Sequence, residues 1–364
     1  MKLNNIQLYN FRNYDKLSLE FHPNLNIFLG QNAQGKTNLL ESIYFLALTR
    51  SHRTHHDREL IRWDAKEMNV SGTVTKGHSN IPLEVALTPK GRTAHVNHLK
   101  ENRLADYIGQ LNLIMFAPED LELIKGAPSI RRRFLDMEIG QIRPVYLYDS
   151  VRYNRALKER NAYLKMERKQ IDATFLDVLD SQLAEHGQKI STERQNFIDK
   201  LEKLAQKIHA QLTHGLEELQ INYKVNSTAL LEDLKSARDK DIFRHQTSVG
   251  PHRDDLTFFV NGINVADFGS QGQQRTVALS VKLAEIDLIF EETGEYPILL
   301  LDDVMSELDN SRQLDLLETT LGKTQTFITT TTLDHLKNLP ENLSIFNVKQ
   351  GEIETNGQER TTTD

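Results

Sequence analysis

Apolar residues open the chain in short alternating runs. Every second position is hydrophobic over residues 6–8, 17–21 and 25–29, with polar breakers at Asn13 and at His22-Pro23-Asn24. That period predicts strands with one buried face. The period then lengthens, and Leu39, Leu40, Ile43 and Leu46 share one side of a helix over residues 37–48. Alternation returns over 68–74, 81–87 and 93–96. From about residue 136 to 220 the spacing is three and four, and Phe197, Leu201, Leu204, Ile208, Leu212, Leu216 and Leu219 predict one long apolar helix face. These helices are too few for a coiled-coil arm, which needs many sustained heptads. A strand over 256–260, a turn at Asn261-Gly262 and a long helix after Ser270 follow. Two buried-looking strands, 298–301 and 326–330, come before a polar tail. Strand-rich halves around a helical middle predict an α/β fold split in sequence. Residues 1–115 and 241–364 would form one discontinuous domain, and 116–240 a mainly helical lobe inserted between its halves.

Chemistry enters between the third strand and the first helix. Gly30-Gln31-Asn32-Ala33-Gln34-Gly35-Lys36-Thr37 matches G-x-x-x-x-G-K-[ST] at every fixed position. The glycines let backbone N–H groups converge on phosphate oxygens, and the helix that starts near Lys36 adds its positive end. Lys36 is expected on the β- and γ-phosphates and Thr37 on Mg²⁺. ATP with Mg²⁺ is therefore the expected cofactor pair.

A phosphate loop alone does not separate kinases, GTPases, transporters and DNA-handling ATPases. The later motifs narrow the choice. Ile298-Leu299-Leu300-Leu301-Asp302-Asp303 reads as a buried strand ending in two carboxylates. Asp302 would complete the Mg²⁺ shell and Asp303 would polarise the attacking water, which with Lys36 makes the expected catalytic set. Upstream, Phe268-Gly269-Ser270-Gln271-Gly272-Gln273-Gln274-Arg275 places small and amide residues at a helix start. This resembles the signature of ATP-binding-cassette (ABC) ATPases, with Ser270, Gly272 and Gln273 at its serine, second glycine and glutamine. Ser306-Glu307-Leu308-Asp309 resembles the D-loop of the same family. The resemblance implies an ABC-type head in which the signature of one subunit grips the γ-phosphate held by its partner, hence an ATP-dependent homodimer. Three positions depart from the family pattern. The second acid is Asp303 rather than glutamate, and its shorter reach predicts slow turnover. Thr329-Thr330-Thr331-Thr332 carries no switch histidine, His335 coming a turn later. Phe116-Ala117-Pro118-Glu119-Asp120 stands where a Q-loop glutamine is expected.

Composition changes this picture little. Zero cysteines exclude disulfides, thiol catalysis and cysteine-ligated zinc or iron–sulfur sites. No apolar run approaches the roughly 20 residues of a membrane span, and the first residues carry no apolar signal segment. A cytoplasmic protein without membrane attachment is the expectation. The formal net charge of −7 argues against general attraction to nucleic acid, so any such contact must be local. Arg131-Arg132-Arg133 is a dense cluster, followed by Arg152, Arg155, Lys158, Arg160, Lys165, Arg168 and Lys169, with Tyr153 and Tyr163 among them. The group reads either as a track for a phosphate backbone or as a solvated helix face balanced by Glu159 and Glu167. Arg50, Arg53, Arg58 and Arg62 form a second stretch, which either couples DNA to the nucleotide or merely covers the ATPase surface. His52, His55 and His56 lack the carboxylate spacing that would complete a metal site.

Taken together, the motifs resemble one family end to end. Asn10-Phe11-Arg12-Asn13-Tyr14, Phe116-Ala117-Pro118-Glu119-Asp120-Leu121, Arg131-Arg132-Arg133-Phe134-Leu135-Asp136 and Gly250-Pro251-His252-Arg253-Asp254-Asp255-Leu256 join the phosphate loop, the signature and the acidic strand. The chain is similar to the RecF family of bacterial recombination mediators. The resemblance implies a DNA-repair ATPase with a head like that of SMC proteins and no long arm. It also implies dimerisation on ATP, binding of single- and double-stranded DNA, and weak ATP hydrolysis stimulated by DNA. Such proteins act with RecO and RecR to help RecA load at gaps, and support replication and SOS induction. Arg131, Arg132, Arg133, Arg152 and Arg155 are the expected DNA contacts. An ABC transporter subunit would instead call for the switch histidine and Q-loop missing here, and a purely structural SMC-like head for a coiled coil.

Overall fold

The computed structural model describes residues 1–306, 310–333 and 343–356. In chain order its strands are β1 (Lys2–Phe11), β2 (Tyr14–Glu20), β3 (Leu25–Leu29), β4 (Met68–Lys76), β5 (Ser79–Thr88), β6 (Gly91–Val96), β7 (Leu99–Lys100), β8 (Leu113–Phe116), β9 (Leu219–Lys224), β10 (Asp255–Val260), β11 (Ile263–Asn264), β12 (Ile298–Asp302), β13 (Thr326–Thr330), β14 (Ser344–Lys349) and β15 (Glu352–Asn356). Its helices are α1 (Lys36–Leu48), α2 (Leu104–Tyr107), α3 (Leu121–Lys125), α4 (Pro128–Ile142), α5 (Pro144–Tyr163), α6 (Ala173–Leu212), α7 (Leu230–Ser236), α8 (Arg238–Arg244), α9 (Val265–Phe268), α10 (Gln271–Thr293) and α11 (Asn310–Thr320). The chain divides into two compact units: residues 1–120 with 285–364, and residues 121–284.

The first unit holds two sheets. One runs β15-β14-β3-β13-β12-β8 and is parallel except for the β14–β15 hairpin. Every residue of β12 and β13 is buried, as for parallel strands covered on both faces. On one side Phe21, Phe28, Phe327 and Phe346 form an aromatic cluster, Phe21 lying 4.9 Å from Phe327 and Phe28 5.4 Å from Phe346. Truncating a fully buried ring such as Phe327 to alanine costs about 3–5 kcal/mol. The second sheet, β2-β1-β4-β5-β6-β7, is antiparallel, with the in–out alternation seen along β4. Helix α1 touches strands of both sheets. Its sequence predicts one apolar face, but all residues from Leu39 to Leu48 are buried. A helix between two sheets has no solvent side, so it is apolar nearly all round.

The second unit is mainly helical. Helix α6 spans 40 residues, about 60 Å at 1.5 Å per residue. It stops at Leu212, where His214 and Gly215 take positive φ and the Gly215 N–H returns to the Ala210 carbonyl. Leu216 and Leu219 therefore leave the helical stripe that their spacing predicts. Leu216 is exposed, and Leu219 begins β9, which pairs with β10. The hairpin expected at Asn261-Gly262 forms, both residues taking positive φ as a two-residue turn requires.

Buried charge organises this unit. Arg160, on α5, is fully buried, so it cannot form part of the phosphate track considered for the basic helices. Its guanidinium donates to Asp180 at 2.7 Å, to Asp241 at 2.8 Å and to Thr247 at 2.9 Å. Tyr153 is likewise buried, its hydroxyl 2.7 Å from His252 Nδ1. The Gly250–Leu256 segment, to which the sequence assigns no chemistry, proves to be a junction. Asp254 accepts from the Tyr223 hydroxyl and from the Asn226 N–H at 2.7 Å, and Arg194 of α6 lies 3.5 Å away. Burial drives the His252 pKa down to about 4, so the ring stays neutral at pH 7.

Removing Arg160 would leave the buried Asp241 without its counter-ion and the buried Asp180 with Arg238 alone. Arg160→Ala is expected to destabilise the second unit by about 3–5 kcal/mol, read as a lower urea midpoint. Arg155→Ala, on the exposed side of the same helix, should stay within about 0.5 kcal/mol of the parent.

Candidate functional site

The parallel register brings the ends of three strands level. Leu29 pairs with Thr330, and Asp302 with Thr329. The loops that leave the carboxyl ends of such strands are where α/β sheets bind ligands. The loop after β3 is the phosphate loop of residues 30–37.

Backbone conformation explains its glycines. A Cβ on Gly30 would stand 2.3 Å from the Val348 carbonyl oxygen of β14. Gly35 has φ 113°, and a side chain there would meet Asn13 Nδ2 at 2.8 Å and Tyr14 Oη at 2.9 Å. Ala33 also takes positive φ, at 64°. Tyr14 Oη donates to the Gly35 carbonyl at 3.1 Å, and the turn after β14 donates from the Gln350 N–H to Gln34 Oε1 at 2.7 Å. The loop is thus held from both sides while Gln31, Asn32 and Ala33 remain exposed. Helix α1 starts without a side-chain cap and without an acid in its first turn. Its terminal N–H donors and positive dipole end stay available to an anion.

The reactive side chains expected from the sequence converge here. Lys36 Nζ donates to the carbonyls of Gly30 at 2.6 Å and Gln31 at 3.0 Å. Burial pulls its pKa below the ordinary lysine value, against the charges of Asp303 and Asp302. Thr37 Oγ1 donates to Asp302 Oδ1 at 3.1 Å, and Thr329 Oγ1 donates to the same oxygen at 2.8 Å. The Asp303 N–H in turn donates to Thr329 Oγ1 at 2.9 Å. Burial pushes the Asp302 carboxyl above its usual value, the two threonine hydroxyls hold it back, and the Asp303 charge adds to the rise. A hydroxyl and a carboxylate in contact, beside a loop of exposed backbone donors, make a hard-oxygen set that fits Mg²⁺ and a polyphosphate. Asp303 sits at φ 57°, left-handed for a β-carbon residue, which sets its backbone apart from the strand that ends at Asp302.

Ser270, Gly272 and Gln273 belong to the second unit. The Gln273 N–H donates to Ser270 Oγ at 3.2 Å and the Ser270 N–H donates to Gln273 Oε1 at 3.0 Å, a reciprocal capping box at the start of α10. Ser270 and Gly272 are exposed. Behind them Gln273 Nε2 donates to Glu217 at 2.9 Å, and Glu217 lies 3.2 Å from the buried His209. Of the expected DNA contacts, Arg152 and Arg155 are exposed on α5, Arg152 standing 4.2 Å from the Tyr148 ring centroid. Arg131 is buried, its guanidinium on Asp255 at 2.7 Å and on the Gly126 carbonyl at 2.7 Å. Arg132 donates to the Asp254 carbonyl at 2.8 Å, and Arg133 is half-buried. Glu307, Leu308, Asp309 and His335 lie outside the described residues. Among the described residues no group of His, Asp and Glu forms a metal cluster, the histidines after α1 included.

Sequence reasoning missed two participants. Thr329 is hidden in a run of threonines that drew interest only for its missing histidine. Glu41 is the one acid in α1, buried at 0% exposure, and an isolated charge in an apolar helix is the signal that could have found it. Arg12 grips it through two 2.8 Å bonds, Ser51 Oγ donates to it at 2.5 Å, and Arg53 stands 3.7 Å away. Burial works to raise the Glu41 pKa, yet the Arg12 and Ser51 hydrogen bonds outweigh it and hold the carboxyl below its usual value.

A carboxyl depressed in the fold stabilises above its unfolded pKa and loses that contribution as pH falls through the folded value. Glu41→Gln should therefore flatten the loss of stability expected of the parent as pH falls below 4.5. Glu41→Ala should lower stability by about 3 kcal/mol at pH 7 by stranding Arg12, both effects being read from urea unfolding.

Comparison with known proteins places this geometry. The family model of the RecF/RecN/SMC N terminal domain matches residues 2–354. A protein of Lactococcus lactis subsp. lactis (strain IL1403), named DNA replication and repair protein RecF, is 75% identical over 355 residues, covering 97% of this chain and 99% of its own. A protein of the same name from Streptococcus pneumoniae (strain ATCC 700669 / Spain 23F-1) is 57% identical over 366 residues, covering 98% and 100%. Among solved structures, the recombination mediator protein RecF with ATP, in the RecFOR pathway, superposes with a TM-score of 0.90 at 35% identity, covering 97% of each chain.

Proposed function

Because this chain belongs to the RecF family, within the RecF/RecN/SMC N terminal domain group, we propose that it is an ATP-dependent DNA-binding protein of recombinational repair. The observation that carries the reading is the Thr37–Asp302 contact beneath the phosphate loop. It joins the nucleotide half of the site to its acidic half before any ligand is considered. ATP supplies a phosphoanhydride, and Mg²⁺ neutralises its phosphate oxygens as charge develops on them.

The rest falls to this chain's own residues. Backbone donors of residues 30–35 and the α1 N-terminus would hold the phosphates, with Lys36 turning from the Gly30 and Gln31 carbonyls to the β- and γ-positions. Thr37 and Asp302 would provide the Mg²⁺ ligands. Asp303 would take the proton of the attacking water. Its short side chain and left-handed backbone limit how well it can aim at that water, which supports slow turnover.

Ser270, Gly272 and Gln273 of a second copy would close on the γ-phosphate. Ser270 Oγ accepts from the Gln273 N–H, so its own hydrogen remains free to donate to a phosphate oxygen. Phe268, two residues earlier, is 77% exposed, an apolar side chain suited to being covered when two copies meet. DNA held between such copies would be met by Arg133, Arg152 and Arg155, with Arg131 and Arg132 fixing the α4 N-terminal segment that carries Arg133. Action with RecO and RecR in loading RecA at gaps, and support of replication and SOS induction, complete the reading.

DNA should stimulate the reaction. The ATPase rate with gapped duplex is expected to exceed the DNA-free rate severalfold; no stimulation, together with no ATP-dependent retention of DNA, sinks the repair reading. Asp303→Asn with ATP and Mg²⁺ should elute as a dimer on sizing and should lose hydrolysis by about 100-fold. A persistent monomer would count against the clamp.

A further inference from the structure

Trp63 is the chain's single tryptophan and is 94% exposed. Among the described residues of the first unit, a ring of that size in full contact with water is the strongest uncovered apolar feature. The segment that carries it is nevertheless well tied. The Arg12 N–H donates to the Leu60 carbonyl at 2.8 Å and the Arg62 N–H to the Asn10 carbonyl at 2.9 Å. Arg58 reaches across the loop, donating to the Ala65 carbonyl at 2.8 Å and the Trp63 carbonyl at 3.4 Å. The indole is thus presented on a braced turn.

Charge beside it is of both signs, and Arg58 is the cation fixed nearest the ring. Both partners of the exposed Arg58 guanidinium are neutral carbonyls, which fix its position without cancelling its charge. Two nearby acids are answered elsewhere, Asp57 by Arg92 at 2.6 Å and Asp15 by Arg62 at 2.9 Å, while Glu59, Asp64 and Glu67 stay exposed along the same stretch as Arg62 and Lys66. A fixed cation next to an open aromatic face matches one nucleotide, with its phosphate beside its base. The bases of a duplex are already stacked, so such a face suits an unpaired strand. A protein partner would favour further apolar side chains around the anchor, and residues 62–67 offer only Ala65.

We propose that the 58–66 loop is a single-stranded DNA site, with Trp63 stacking on an unpaired base and Arg58 holding the adjoining phosphate. The proposal rests on the DNA-repair reading and gives it a place on the ATPase unit. That place is wired to the nucleotide. Arg53 donates to Asn38 Oδ1 at 2.9 Å and stands beside Glu41, both residues of α1, while Arg12 joins Glu41 to the Glu59 carbonyl at 2.8 Å. A strand bound at Trp63 therefore pulls on the helix that begins at the phosphate loop.

The single tryptophan makes the test direct. Thymidine oligonucleotide of about 16 residues is titrated into the full chain, with Trp63 emission and the anisotropy of the labelled strand followed together. Saturable quenching that tracks the anisotropy is expected. Trp63→Ala should weaken oligonucleotide binding about 5- to 100-fold, and Trp63→Phe, which keeps a stacking face, should weaken it less. Unchanged emission at strand concentrations that saturate the anisotropy overturns the proposal and leaves the patch to a protein partner. Retention of gapped duplex by the Trp63→Ala variant, measured in parallel, separates that failure from a failure of the repair reading itself.

Discussion

One oxygen of Asp302 accepts hydroxyl hydrogens from Thr37 and Thr329, and the placing of the surrounding elements follows from that junction. Thr329 lies on β13, the strand between β3 and β12, so the two bonds close a path across three neighbouring strands. Register is what makes the path short. A slip of one residue in β13 would turn Thr329 to the other face of the sheet and leave the buried Asp302 with Thr37 alone. A desolvated carboxylate in that state costs several kcal/mol, and burial together with the Asp303 charge keeps its pKa above the usual value even with both hydroxyls in place. The aromatic cluster of Phe21, Phe28, Phe327 and Phe346 supports the same register from beneath, because Phe28 and Phe327 are carried by β3 and β13 themselves.

Helix α1 transmits this geometry outward. It starts at the phosphate loop, is covered on both sides by sheets, and holds one buried acid, Glu41. That charge is kept ionised by Arg12 from the turn after β1 and by Ser51 from the segment after the helix. Three segments far apart in sequence therefore meet one carboxylate. Removing the charge would free all three, whereas removing a neighbouring leucine would only leave a cavity. The difference bears on the proposed function, since Arg12 and Arg53 are the residues through which a strand on the outer loop would be felt by the helix.

How much of this was legible in the sequence depended on the range of the interactions. The phosphate loop is local: eight consecutive residues specify backbone turns and a helix start, and they read without ambiguity. The acidic strand was nearly as clear, because Ile298-Leu299-Leu300-Leu301 has no polar residue before Asp302. Thr329 was not legible, since its role comes from parallel pairing over a separation of 27 residues, and a threonine run gives no period that marks it. β14 was hidden for a similar reason: Ser344, Asn347 and Lys349 look like a polar tail until β3 supplies a partner. The basic helices misled in the opposite direction. Arg160 belongs to a cationic stretch in sequence, but helix phase turns it inward to Asp180 and Asp241, which lie 20 and 81 residues away. Charge patterning cannot see acids at that distance.

The signature segment raises a question that the capping box answers. A helix start whose donors are already satisfied gains less from a phosphate than a bare one. Ser270 and Gln273 satisfy each other's backbone N–H groups, so the segment is stable without an anion and keeps one shape. What stays open is narrower: the Ser270 hydroxyl hydrogen and the exposed Gly272 backbone. The phosphate loop has the reverse arrangement, with no side-chain cap on α1 and a lysine resting on carbonyls it would exchange for phosphate oxygens. Under the proposed clamp, one surface would bind first and the other would recognise what has been bound. In that order a second copy would close only on a loaded partner, and the short Asp303 would let such a dimer persist before hydrolysis releases it. Slow chemistry at Asp303 would then set the lifetime of the proposed clamp rather than be a defect in it.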